Sequence, residues 1–384
     1  VQNAPFTQAI TKRFLASTTL EPFRDFRINV TANYNRSDNY QEFYRPSATG
    51  AGFSSQAPIR NGSYSMSYFS FGTTFERLRA DNTSPIFDKF EAYRDILQQR
   101  LNADNPVARD NPAGYNKNSQ DVLIPAFFAA YSGSNPRSVK YSPFYNLPFP
   151  NWDINYSGLN KVKPFSKVFT SFNLVHRYTS TFSVGNFVSS LSYEAQFVNL
   201  AVNDYNISRQ LNANGQFIPV FVMSTMSMSE RFGPFVGIRF QTKNRLSGSL
   251  EYNRSRDAAL NLTNAQVAEV NTKDITASLG FTKQNVRLPF RVNGAVRRLK
   301  NDLTFNCALT LRDTRTIQRK LEAEQIITAG NVNFQVRPQL SYVVNRRLNV
   351  NFYFDRTFND PLVSNSFVRA TTAGGVQVRF NLAE

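Results

Sequence analysis

Apolar and polar residues alternate with a period of two along much of the chain, the pattern of strands with one greasy and one wet face. Phe26, Ile28, Val30, Ala32 and Tyr34 interleave with Arg27, Asn29, Thr31 and Asn33. Leu303, Phe305, Cys307, Leu309 and Leu311 alternate with Thr304, Asn306, Ala308 and Thr310. Val332, Phe334, Val336, Pro338, Leu340, Tyr342 and Val344 share one register, and Asn333, Gln335, Arg337, Gln339 and Ser341 the other. Leu348, Val350, Phe352, Phe354 and Phe358 repeat the pattern, and Val376, Val378, Phe380 and Leu382 end it. Weaker runs cover 191–197, 218–228, 236–240, 246–252 and 275–281. The clearest runs last about 9–13 residues; a tilted membrane strand needs about 9–11, whereas soluble strands usually stop near 5–6. Short polar turns such as Val344-Asn345-Arg346-Arg347 and longer loops such as 359–365 separate the runs. This predicts an all-β fold, a transmembrane antiparallel β-barrel, with 1–83 and 164–384 as barrel strands. A soluble β-sandwich or β-helix is the competing reading, but its strands would be shorter and richer in Gly/Asp turns.

One region leaves the pattern. Ser84 can cap a helix, Pro85 suits its first turn, and Phe87, Phe90, Leu97 and Leu101 recur at helical spacing. A second short helix is expected over 122–131, followed by a Pro- and aromatic-rich stretch to Lys163. The 84–163 segment is therefore expected to be a partly helical insertion, too long for a hairpin loop, serving as a cap, a plug or a partner-docking element.

No apolar run approaches the roughly 18 residues of a membrane helix, so a membrane location has to come from strands. The first twenty residues lack the apolar stretch of a signal peptide, and the chain is expected to be a processed protein or a piece of a longer one. The 35 Phe and 17 Tyr accompany a mean hydropathy of only −0.39, as two-faced strands require. A net charge of +17 suggests nucleic acid, but the cations are dispersed singly, with Arg297, Arg298 and Lys300 a rare cluster. Anionic lipid headgroups or acidic cargo suit that distribution better, and no nucleic-acid partner is expected.

The chemistry-bearing residues are few. One Cys and one His exclude an internal disulfide and a Cys/His zinc site within this chain. His176 shares a register with Phe172, Leu174 and Tyr178 and reads as structural; Cys307 reads as a small buried or lipid-facing residue. No phosphate-binding glycine motif occurs, and no local motif joins a Ser to His176. Glu322 and Glu324, with Arg319 and Lys320 nearby, read as a solvated charge mix. No catalytic, cofactor or metal site is expected, nor enzymatic activity.

The end of the chain reads as a closing strand over 373–382. Gly375 followed by Val378 and Phe380 is similar to the signal that outer-membrane barrels offer to the barrel-assembly machinery. Ala373 and the terminal Glu384 depart from its usual form.

Two stretches carry a further resemblance. One runs over 146–159, including Pro148, Pro150, Trp152 and Tyr156, into Phe172-Asn173-Leu174-Val175-His176-Arg177-Tyr178 and on to Gly185; the other is the 354–367 tail with Asp355-Arg356-Thr357-Phe358-Asn359-Asp360-Pro361. Both resemble the C-terminal portion of the SprA/Sov family, the outer-membrane translocon of the type IX secretion system in Bacteroidetes, also needed for gliding in motile members. The resemblance implies one segment of a very large barrel of about 36 strands. It also implies secreted folded cargo, plug and shuttle partners, and no catalytic residue. In that setting Asn29, Arg337, Gln339, Asn349 and Asn351 are expected to face the lumen. Val350, Phe352, Phe354, Val376, Val378 and Phe380 are expected to face outer-membrane lipid. The alternatives are a self-contained porin or uptake barrel, and a soluble basic β-rich binding protein.

Overall fold

Period-two patterning fixes which side of a strand is greasy, and backbone pairing then fixes which strands lie together. The computed structural model describes residues 4–380 apart from 48–49, 51, 80, 112–113, 191–209, 285, 287–301, 324, 345–347 and 364–365. The 191–197 run, the Arg297 cluster, the turn at 345–347 and the final residues after Phe380 lie outside them. Among the described residues, thirteen strands form one antiparallel sheet. They are β1 (Phe6–Phe23), β2 (Phe26–Pro46), β3 (Phe53–Ser67), β4 (Asn151–Tyr156), β5 (Phe169–Ser189), β6 (Phe221–Met223) and β7 (Thr225–Thr242). They continue with β8 (Leu246–Asn261), β9 (Gln266–Lys283), β10 (Leu303–Lys320), β11 (Ile326–Val343), β12 (Leu348–Pro361) and β13 (Arg369–Phe380). Neighbours in space are neighbours in sequence, the short β4 and β6 aside. This is the expected all-β class: a single antiparallel sheet of long strands with a partly helical insertion.

The main strands run to 21 residues in β2 and β5, longer than the alternation alone indicated. The excess has a function in the fold. β3 pairs with β2 and β5 at one end, and β4 pairs with the same two strands at the other. Together they are one strand position, interrupted between Ser67 and Asn151. The insertion thus leaves the sheet earlier than the sequence suggested and returns earlier, over 68–150. Ser67 closes the gap: its carbonyl accepts from Phe149 N at 2.9 Å and its Oγ donates to the Phe149 carbonyl at 2.5 Å. The later part of the expected 84–163 segment holds β4 and the short helix α5 (Lys163–Val168), which lead back into β5.

Within the insertion, α1 (Phe71–Thr74) precedes α2 (Pro85–Asp104), α3 (Pro106–Asp110) and α4 (Gln120–Ser132). Ser84 Oγ accepts from Phe87 N at 3.4 Å and Pro85 opens the first turn of α2, as its sequence predicts. Residues 122–132 of α4 are buried on every side, the condition of a helix sandwiched between neighbours. Phe127 meets Phe90 of α2 at 6.1 Å on one side, and Phe128 meets Phe182 of β5 at 5.1 Å on the other. Gly133 ends α4 at φ 78, a left-handed turn that glycine adopts without cost. No helix among the described residues is long and apolar enough to cross a membrane.

Candidate functional site

Residues opposite each other in an antiparallel ladder share a face, so the register builds the surface row by row. Leu246, Phe281, Phe305, Leu340, Phe352 and Val376 pair in sequence across six strands. A parallel row runs Phe26, Tyr156, Leu174, Ile238, Leu250, Ala277, Leu309 and Val336, and its next member on β12 is the charged Arg356. The next holds Val236, Tyr252, Ile275, Leu311, Phe334 and Phe358. These rows form an apolar band. Along β10 it extends from Leu303 to Leu311, about 27 Å of strand. Its side chains stand in the open: Leu250 is 48% exposed, Phe352 46% and Val378 60%.

The opposite face is polar. Asn29, Arg337, Gln339, Asn349 and Asn351 all fall on it. Val350, Phe352, Phe354, Val376, Val378 and Phe380 all fall on the apolar face. The polar residues satisfy one another across strands. Thr19 Oγ1 donates to Asn29 Oδ1 at 2.9 Å, Ser341 Oγ to Asn349 Oδ1 at 3.2 Å, and Arg337 Nε to Asp355 Oδ2 at 2.8 Å. Arg239 pairs with Glu251 at 2.7 Å, and Arg177 pairs with Asp153. Of the expected assembly signal, Val378 and Phe380 lie on the apolar face, whereas Gly375 lies opposite Tyr353 on the polar one. A Cβ at Gly375 would stand 2.8 Å from the Tyr353 hydroxyl oxygen, so the glycine leaves room for that ring.

Beyond the apolar band the same outward face changes character. Trp152, Tyr178 and Phe232 come first, in one row with Arg254, Lys273 and Asp313. Trp152 and Tyr178 stack at 4.4 Å. Further along the strands come three ion pairs that the insertion covers. Glu230 pairs with Arg256 at 3.3 Å. Its Oε1 also accepts from Ser70 Oγ at 2.8 Å, Thr74 Oγ1 at 2.5 Å and Tyr178 Oη at 2.9 Å. Arg256 in turn donates to the Thr73 carbonyl at 3.1 Å and to Thr73 Oγ1 at 2.8 Å. Glu269 holds Arg319, which is 0% exposed, at 2.5 Å. Arg36 holds Asp38 at 2.8 Å with its guanidinium 4.3 Å above the Phe144 ring. Buried charges need such partners, because each unpaired one costs several kcal/mol; Arg36 Nη1 and Arg319 Nη2 alone among these groups are buried without a hydrogen-bond partner. The insertion therefore sits on the apolar-register side of the wall, fixed by charged pins, and not on the polar face.

Arg319 is thus no member of a solvated charge mix, as its neighbourhood in sequence implied. Burial under the insertion forces it onto Glu269, and Glu322 instead pairs at 3.3 Å with Arg94 of α2. Glu324 lies outside the described residues. His176 fills an irregularity between β5 and β7, where its Nδ1–H donates to the Phe235 carbonyl at 2.6 Å. Cys307 is half-buried on the apolar face opposite Leu279 and Pro338. Among the described residues no group of three or more His, Cys, Asp or Glu is placed to hold a metal ion.

The sequence reading missed the buried ion pairs. Their signal was available: charges in the apolar register of adjacent strands, all at one end.

No family model and no curated protein matches this chain. Among solved structures it is similar to OmpT, an outer membrane protein of Vibrio cholerae, at 8% identity over 99% of this chain and 98% of that one, with a TM-score of 0.20. So loose a superposition carries no structural or functional argument.

Proposed function

We propose that this chain is a stretch of outer-membrane barrel wall in a protein-conducting channel. The observation that carries the reading is the segregation of faces over one continuous sheet: an open apolar band on one side, and a self-paired polar surface on the other. In a bilayer every backbone donor needs an internal partner, and an antiparallel wall supplies one at each ladder position. The band then meets outer-membrane lipid and the polar face meets the lumen. Lumenal charges neutralised in pairs, such as Arg239–Glu251 and Arg337–Asp355, leave little for a passing folded protein to adhere to. Among the described residues β1 and β13 pair with β2 and β12 and not with each other, which suits a segment of a larger barrel better than a small closed porin.

The type IX assignment, with its Bacteroidetes setting, link to gliding, plug and shuttle partners and signal-bearing cargo, rests on the sequence resemblance. Transport is passive at this wall, driven by partners in the inner membrane. The barrel-assembly machinery receives β13 through Val378 and Phe380. No catalytic role is proposed.

The test is a cysteine scan at 349, 350, 351 and 352 in a Cys307→Ser background of the full protein in native membranes. Brominated lipids should quench bimane at 350 and 352, and a water-soluble maleimide should label 349 and 351. The reverse pattern would sink the assignment of faces. A photoreactive residue at Gln339 should crosslink to polypeptide in transit; capture of small solutes alone would favour the porin reading.

A further inference from the structure

At the boundary between the apolar band and the insertion lies a cavity of about 510 Å³. Phe75, Phe235 and Tyr252 line its apolar side. Just past that side, Val236, Ile275 and Leu311 of the band are 52%, 39% and 40% exposed. The rest of the lining carries six cationic side chains against three carboxylates. The carboxylates are engaged: Glu76 with Lys89 at 2.7 Å, Glu269 with Arg319 at 2.5 Å and Asp313 with Arg315 at 3.1 Å. Arg79 is taken by Asp88 at 2.6 Å and Arg256 by Glu230 at 3.3 Å.

Three cations remain without a carboxylate among the described residues: Arg77, Arg254 and Lys273. Arg254 and Lys273 stand directly opposite each other across the β8–β9 ladder. Like charges in that position repel and destabilise a sheet unless something lies between them. The contacts of the Arg254 guanidinium are weak ones: the Glu76 carbonyl at 3.5 Å and the Phe75 ring at 5.9 Å. Lys273 is exposed, and Asp313, its neighbour on the other side, turns to Arg315.

We infer that this cavity receives the phosphate of an anionic membrane lipid. The inference rests on the wall reading above, which puts the cavity at headgroup depth. Arg254 and Lys273 bracket the phosphate, as an anion between them removes their mutual repulsion. Arg77 closes on it from the insertion side. Phe235 and Tyr252 lie at the headgroup–acyl boundary, where aromatic rings with a polar rim are favoured, and the acyl chains run down over Ile275 and Leu311. A bound lipid would then join wall and insertion.

The test uses the full protein in a neutral maltoside detergent, titrated calorimetrically with dihexanoyl phosphatidylglycerol, dihexanoyl phosphatidylcholine and sodium phosphate. The expected result is saturable binding of the phosphatidylglycerol, at least about tenfold tighter than either comparator, given an attraction of several-fold per surface cation. Lys273→Gln, whose side chain is exposed, should fold normally and weaken that binding about fivefold. The R77Q/R254Q/K273Q variant should bring it down to the phosphatidylcholine level. Equal binding of the two lipids, or variants that bind as the parent does, would overturn the inference. Phosphate binding as tightly as the lipid would also overturn it, in favour of a soluble-anion site. A protein that stays monodisperse once detergent is removed refutes the wall reading itself. One that needs detergent yet shows no lipid preference refutes the pocket alone.

Discussion

Two stretches of one face differ in what covers them. From Leu303 to Leu311, β10 presents side chains that no other part of the described chain covers, and every second one is apolar. From Asp313 to Arg319 the same register of the same strand reads Asp, Arg, Ile, Arg, and its end is buried under the insertion. Hydrocarbon cannot satisfy a charge, so a lipid-facing stretch has to be apolar throughout. A protein cover can supply carboxylates, hydroxyls and carbonyls, so charges there become fixed joints. On β10, charge in the apolar register therefore begins where the insertion starts to cover the strand.

The largest effect should come from breaking a joint. Glu269→Ala leaves Arg319 buried without its carboxylate and should cost about 3–5 kcal/mol, read as loss of protease protection of the insertion. Replacing both partners by Leu and Met should recover most of that loss. If the single variant leaves protection intact, the ion pairs do not hold the insertion.

Charge placed in the band comes next. Ile275→Arg should destabilise the membrane-inserted wall by about 2–4 kcal/mol, whereas Ser278→Arg on the polar face should cost under about 1 kcal/mol. Urea unfolding from lipid vesicles separates them, and equal costs would abolish the distinction between the faces.

Glycines sharpen the contrast between covered and bare wall. A Cβ at Gly62, on the covered side, would fall 1.9 Å from the Ser37 carbonyl oxygen, against a backbone that cannot yield cheaply. Gly62→Ala should cost about 1–3 kcal/mol, and Gly375→Ala, where only the Tyr353 side chain has to swing, at most about 1 kcal/mol. The same unfolding titration ranks them. Smallest is the exposed pair on the polar face. Arg239→Ala should cost about 0.2–1 kcal/mol and lose its effect in high salt, because water already solvates both charges.

Much of this was legible in the sequence. Asn349, Val350, Asn351 and Phe352 could be assigned to alternating faces because strand geometry leaves a side chain no third direction. Ser84 and Pro85 announced α2, and the run at 122–131 announced a second helix, because capping and helical spacing are local signals. What stayed hidden depends on residues distant in sequence. β4 is only six residues long, and nothing local shows that it continues β3 after the excursion over 68–150. Glu230 and Arg256, or Glu269 and Arg319, look like breaks in a strand until the register sets each beside its partner.

The sequence by itself determined that the chain makes long two-faced strands, which side of each is apolar, and that helices near 84–101 and 122–131 interrupt them. These follow from the chemistry of neighbours along the chain. Only the tertiary structure decided that the insertion splits a strand and lies on the apolar-register side, and that Glu230, Arg256, Glu269 and Arg319 in that register are joints. It alone brought Arg254 and Lys273 together above the band. Those outcomes depend on which strands pair and in what register, and antiparallel pairing brings together residues that alternation treats as unrelated.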